Sequence, residues 1–178
     1  FNDYIKLRNK ERSELKERAN SDALTSISNR RAIEEFIKGK LSDKSSGGAL
    51  IFLDIDDFKS INDTFGHSAG DGVLRCVAEK IRSSFRGSDF AGRFGGDEFI
   101  IWMDNVTLNN AEFIKERING LMGTAETEGV KIGYTLSAGI TFKCEGDDYE
   151  KIVTRADRAL YARKKSGKSG CSILAAPQ

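Results

Sequence analysis

The chain of 178 residues contains a single histidine, His67, and three cysteines, Cys76, Cys144 and Cys171, set far apart with no CxxC or Cys/His metal spacing. That excludes a zinc framework or a disulfide scaffold as the organising element, and the cysteines read as free thiols, buried or incidental, in a reducing compartment. No apolar run is long enough to cross a bilayer, and no signal peptide opens the chain. Nor does one sign of charge dominate. Lys plus Arg number 28 against 27 Asp plus Glu, so bulk charge gives no reason to expect a nucleic acid or an anionic membrane as partner. A nucleotide-sized ligand stays open, because one site needs only local charge. No internal repeat is visible, and the length suits one domain with a sizeable core. The first residue is Phe1 rather than Met. The expectation is a cytoplasmic piece of a longer protein, whose N-terminal part, with any membrane anchor in it, is not in this sequence.

Residues 1–20 alternate in charge, and Glu14 stands four residues before Arg18, which supports an exposed helix. This segment reads as a linker helix arriving from an upstream domain, with residues 21–178 as the folded domain. Ile33, Phe36, Ile37 and Leu41 predict an amphipathic helix over 29–41, after which Ala49–Leu53 is a continuous apolar run typical of a strand buried on both faces. Val73, Leu74, Val77, Ile81 and Phe85 mark another helix. Segments 89–94 and 98–103 read as strands joined by a tight turn at Gly95-Gly96. A helix over 109–122, a strand over 130–142 interrupted near Ser137-Ala138-Gly139, a helix over 148–165 and a closing strand over 171–174 complete the pattern. A hairpin amid alternating strands and helices argues for a mixed α+β sheet with helices packed on it, not a doubly wound parallel sheet.

Two acidic clusters fall where a buried strand meets a turn: Asp54 with Asp56 and Asp57, and Asp97-Glu98 after Gly95-Gly96. On neighbouring strands they would repel unless a cation lay between them. Carboxylate and carbonyl oxygens, without histidine or cysteine, suit Mg²⁺ or Mn²⁺.

Gly95-Gly96-Asp97-Glu98-Phe99 is the intact GGDEF signature. It is preceded by a stretch from Asp54 to Asp71 that is similar to DIDxFKxINDxxGHxxGD. Asp22-Ala23-Leu24-Thr25 with Asn29-Arg30, and Ala156-Asp157-Arg158-Ala159-Leu160-Tyr161, are further matches in the expected order. The chain, from about Asp22 to Leu174, thus resembles the GGDEF-domain diguanylate cyclases. The resemblance implies a central, mainly antiparallel sheet wrapped by helices, like the palm of adenylyl cyclases and polymerases. It also implies an enzyme that joins two GTP molecules into cyclic di-GMP with two divalent ions per active site.

By the same resemblance Asp54, Asp97 and Glu98 would hold the metal through side chains and Ile55 through its carbonyl. Asp97 and Glu98 are the catalytic candidates, with Asp97 guiding the proton off the attacking ribose hydroxyl. Asn62 and Asp71 would read guanine and His67 would line the pocket. Phe58 and Lys59 would run along the phosphates, Gly95 and Gly96 would admit the nucleotide backbone, and Lys164 and Lys168 would meet the outer phosphates. Arg86-Gly87-Ser88-Asp89 matches the RxxD site at which product inhibits, through Arg86 and Asp89. Each domain would hold one GTP, so catalysis would need a homodimer.

The family's DxLTxLxNR stretch has Ile27 and Ser28 where Leu and Pro are common, and Arg163 and Ser169 are also unusual. None is a presumed metal ligand. Ser166-Gly167-Lys168-Ser169 ends like a P-loop, but the required first glycine would fall at Ala162 within a helix. Two other readings remain: a non-catalytic sensor of GTP or cyclic di-GMP that regulates a neighbouring domain, and a class III cyclase making a single-nucleotide product.

Overall fold

The computed structural model describes residues 2–85 and 87–175. The elements in chain order are α1 (Asn2–Asn20), α2 (Arg30–Ser42), β1 (Gly48–Ile55), α3 (Phe58–Phe65), α4 (His67–Ser84), β2 (Phe90–Gly95), β3 (Glu98–Asp104), a 3₁₀ turn (Leu108–Asn110), α5 (Ala111–Asn119), β4 (Gly123–Thr127), β5 (Val130–Tyr134), β6 (Leu136–Phe142), α6 (Tyr149–Lys165) and β7 (Gly170–Ile173). Five strands make one sheet in the order β2-β3-β1-β6-β7, while β4 and β5 form a separate hairpin. β1 lies between β3 and β6 and is antiparallel to both; β7 joins β6 in parallel at the edge. The sheet is mixed, mainly antiparallel and flanked by helices, as the α+β reading expects.

Period-two alternation along β1 explains the layering. Ala49, Ile51, Leu53 and Ile55 pack in one cluster with Val73, Val77 and Ile81 of α4 and with Ile114 and Ile118 of α5. Leu50 and Phe52 pack on the other face with Ile33 and Ile37 of α2 and with Ile152, Ala156 and Leu160 of α6. All eight residues of β1 are buried, which accounts for its unbroken apolar reading. Capping agrees with sequence: Asn29 Oδ1 accepts from Ala32 N at 3.1 Å to start α2, and Asp148 Oδ1 accepts from Lys151 N at 2.8 Å to start α6.

One expectation is corrected. The strand over 130–142 is not broken at Ser137-Ala138-Gly139; those residues lie inside β6, and the break falls at Thr135, between β5 and β6. Gly139 marks a close approach, not a turn. A Cβ built there would overlap the Ala156 carbonyl oxygen and the Leu160 nitrogen, so α6 lies directly on the strand. The helix α3 and the strand β4 were not separated by the apolar pattern. Each is short, and Ile61 and Ala125 are their only buried residues.

Candidate active site

The same alternation positions the acids. Asp54 follows Leu50 and Phe52 on the α6 face of β1, and Glu98 precedes Ile100 and Trp102 on the same face of β3. The two are directly paired across the strands, which sets their side chains next to each other. Asp97 stands beside them in the two-residue turn between β2 and β3, where Gly96 adopts φ +49°, and the Ile55 backbone N–H donates to the Asp97 carbonyl at 3.3 Å. The last turn of α6 reaches over this edge: Lys164 Nζ lies 2.7 Å from Asp54 Oδ2.

Burial, first of all, raises the pKa of Asp54, reinforced by the charges of Asp97 and Asp56 and opposed by Lys164. Glu98 is raised too, by burial and then by Asp54 and Asp97. The site therefore carries carboxylate repulsion that Lys164 offsets only in part, a condition that favours a divalent cation. The donors are oxygens alone. Among the described residues no group of three or more His, Cys, Asp or Glu side chains is arranged to hold a metal ion by itself. Oxygen donors of this kind, too few to enclose an ion by themselves, suit one whose remaining ligands come from phosphates and water.

The remaining acids of the first cluster have different tasks. Asp56 is buried and fully used: it accepts from Thr135 Oγ1 at 2.6 Å, Ser137 Oγ at 2.6 Å and Ser169 N at 3.0 Å. It ties the end of β1 to β6 and to the start of β7. Asp57, at φ +54°, accepts from Lys168 Nζ at 2.6 Å. Lys164 and Lys168 thus both reach the β1 end.

Phe58 and Lys59 open α3, directly after the acids; Asn62 lies one turn further on, packed against Gly70 at the start of α4 next to Asp71. His67 is exposed at the first residue of α4. Gly95 and Gly96 are exposed, and a Cβ on either would meet nothing within 4 Å, so the turn presents bare backbone to solvent. A concavity of about 290 Å³ lined by Glu98, Asp157, Arg158, Leu160, Tyr161 and Lys164 adjoins the carboxylates. A larger one, about 810 Å³, lies at the other end of α6, where the Arg155 guanidinium is already held by Asp147 at 2.7 Å.

Arg86 lies outside the described residues. Asp89 stands at the far end of β2 from the Gly96 turn, roughly 20 Å away at about 3.3 Å per strand residue. Its carboxylate accepts from Arg117 NH1 at 3.4 Å and from Asp104 N at 3.3 Å.

Arg93 was missed by the sequence reading. Its Nε and NH2 donate to the Gly96 carbonyl at 2.9 and 2.7 Å, and its NH1 donates to Asp22 Oδ1 at 3.2 Å. Asp22 in turn accepts from Thr25 N at 2.9 Å and Thr25 Oγ1 at 2.6 Å. The Asp22–Thr25 segment thereby anchors the glycine turn that carries Asp97. A lone cation within Phe90-Ala91-Gly92-Arg93-Phe94 was the one available signal.

What fold and site define together is an α+β domain whose carboxylates meet at the end of its central strand, beside a bare glycine turn and under a lysine from the last helix. A family model for the "Diguanylate cyclase, GGDEF domain" matches residues 19–170. Diguanylate cyclase DgcP of Pseudomonas aeruginosa is 36% identical over 163 residues, covering 89% of this chain and 24% of the relative. Diguanylate cyclase DosC of Escherichia coli is 37% identical over 155 residues, covering 83% and 34%. The crystal structure of the coiled coil and GGDEF domain of DgcB from Caulobacter crescentus, in complex with c-di-GMP, matches with a TM-score of 0.85 at 26% identity, covering 98% of this chain and 95% of that one. The chain belongs to the GGDEF family of diguanylate cyclase domains. It spans about a quarter to a third of the length of these curated relatives. None of the described helices is long and apolar enough to cross a membrane.

Proposed function

We propose that this domain condenses two GTP molecules into 3′,5′-cyclic di-GMP and releases two pyrophosphates. The observation that carries the reading is the cross-strand pairing of Asp54 with Glu98 at the β1 end, next to the turn that carries Asp97, with the Lys164 ammonium 2.7 Å from Asp54. Asp54, Asp97, Glu98 and the Ile55 carbonyl would hold two Mg²⁺ or Mn²⁺ ions. When bound, such ions make the ribose 3′-hydroxyl more acidic and neutralise the departing pyrophosphate. Asp97, on the exposed turn, guides the hydroxyl proton away, and Glu98 keeps the neighbouring carboxylate in register. Lys164 and Lys168 take the outer phosphates, the backbone of Phe58 and Lys59 runs along them, and Gly95 and Gly96 let the chain approach with no side chain between. Asn62 and Asp71 hold the guanine edge, whose donors and acceptors adenine would leave unpaired, with His67 at the pocket rim.

One GTP per domain makes the working unit a homodimer, so the rate should rise faster than linearly with enzyme concentration while monomer dominates. Product would bind at Arg86 and Asp89, away from the chemistry, and restrain the pair. Mass spectrometry of the product formed from GTP and Mg²⁺, with pyrophosphate measured in parallel, tests the reading. Cyclic di-GMP is expected from the wild type and none from Asp54→Asn. Burial and neighbouring acids already disfavour charge on Asp54, so that variant should keep its fold. GTP binding without pyrophosphate release, in protein shown to be dimeric, would replace the enzyme by the sensor reading. A single-nucleotide cyclic product would replace it by the class III reading.

A further inference from the structure

We infer that Gly70 is a positioning residue for base recognition: the missing side chain at this point of α4 is what lets Asn62 of α3 stand in its base-reading place. The inference rests on the reading that Asn62 contacts the purine. A Cβ built on Gly70 would overlap Asn62 Oδ1, lie 3.0 Å from its Cγ and lie 3.3 Å from Phe58 Cζ. Something must give, and the surroundings decide what. α4 cannot retreat, because Ala69 and Val73 on either side of Gly70 are 3% and 0% exposed in the core. The β4–β5 hairpin closes the helix from another side: Ser68 Oγ donates to Glu128 Oε1 at 2.5 Å, and a Cβ on Gly72 would lie 2.6 Å from Thr127 Cβ. The Asn62 amide is the movable partner, and a methyl group at position 70 turns it out of line.

Two properties should therefore move in opposite directions. Alanine is the better helix former, so Gly70→Ala has no backbone reason to destabilise α4. Base discrimination should fall nonetheless. The test is equilibrium binding, with Mg²⁺, of a GTP analogue with carbon in place of the α,β-bridging oxygen, set against the matching ATP analogue. Gly70→Ala is expected to lose roughly 3- to 10-fold in the guanine-to-adenine affinity ratio, the size of one neutral hydrogen bond, with Tm equal to or above the wild type. Gly39→Ala is the control: it makes the same change inside α2, where a Cβ meets nothing within 4 Å, and should raise Tm while leaving the ratio alone. Asn62→Ala should reproduce the loss, and the Asn62→Ala/Gly70→Ala double variant should lose no more than either one. A Tm lowered in Gly70→Ala and not recovered in the double variant, where the overlapping amide is gone, would place the strain elsewhere in α4 and overturn the inference.

A ratio that survives Gly70→Ala but falls in Asn62→Ala overturns the inference and leaves the base-reading role of Asn62 standing. So does a double variant showing the two losses summed. A ratio that survives Asn62→Ala removes the base-reading role and the inference with it.

Discussion

Truncating Arg93 to alanine should loosen the turn that carries Asp97, by an amount that follows from its contacts. The guanidinium spans two elements, donating through two nitrogens to the Gly96 carbonyl and through a third to Asp22. The side chains of the ion pair are 15% and 23% exposed, so solvent screens it only in part. Hydrogen bonds from a charged donor contribute about 1.5–3 kcal/mol, and the two to Gly96 share one acceptor, so they count roughly as one. A partly shielded ion pair adds at most about 1 kcal/mol. Asp22 keeps its Thr25 partners and is not left bare. Arg93→Ala should thus cost about 2–3 kcal/mol in urea unfolding at unchanged m-value. Arg93→Lys should recover less than half, since an ammonium cannot reproduce the fork across both partners. Turnover measured well below the unfolding midpoint should fall at least ~10-fold, because an ångström of drift at a reacting group is expensive. A variant within about 0.5 kcal/mol of wild type would refute the claim that this side chain holds the turn.

Three further outcomes follow from the packing and the local charges. Gly139→Val should destabilise by at least about 1–3 kcal/mol, seen as a lowered urea midpoint, because the new side chain meets α6 backbone and not a movable side chain. Burial alone would raise the Asp22 pKa, but the Thr25 hydrogen bonds and then Arg93 bring it below the usual carboxylate value. A depressed folded pKa contributes stability that is complete above the unfolded value and lost as pH falls through the folded one. Asp22→Asn should therefore flatten the acid limb of the stability profile below about pH 4, by no more than about 1 kcal/mol, and an unchanged limb would contradict the assignment. Burial pushes the Cys171 thiol up to about 11. With Cys76 and Cys144 replaced by serine, a disulfide reagent at pH 8 should label native Cys171 on the order of 100-fold more slowly than the unfolded chain; equal rates would show that the thiol is exposed.

Much of the fold was legible because strong local patterns coincide with elements. The apolar run before Asp54 is β1, the Gly95-Gly96 pair marks the hairpin, and the helical spacing of Val73 to Ile81 is the buried face of α4. Reading failed where local pattern and burial part company. Ser137-Ala138-Gly139 looks like an interruption because small residues resemble loop, yet all three are buried in β6, and at Gly139 the absence of a side chain is set by the helix lying on it. The acids of the site were legible as strand-end residues, but their division of labour was not. Asp56, chemically indistinguishable from Asp54 in the sequence, is consumed by Thr135, Ser137 and Ser169.

By itself, then, the sequence determined the longer secondary elements, the family and the strand ends at which the acids sit, since these depend on periodicity and on contiguous motifs. Only the tertiary structure decided which acid meets which cation. Lys164 with Asp54, Lys168 with Asp57 and Arg93 with Asp22 join residues distant along the chain. No local pattern encodes such pairs, because alternation tells which face a side chain takes but not what the fold will set against it.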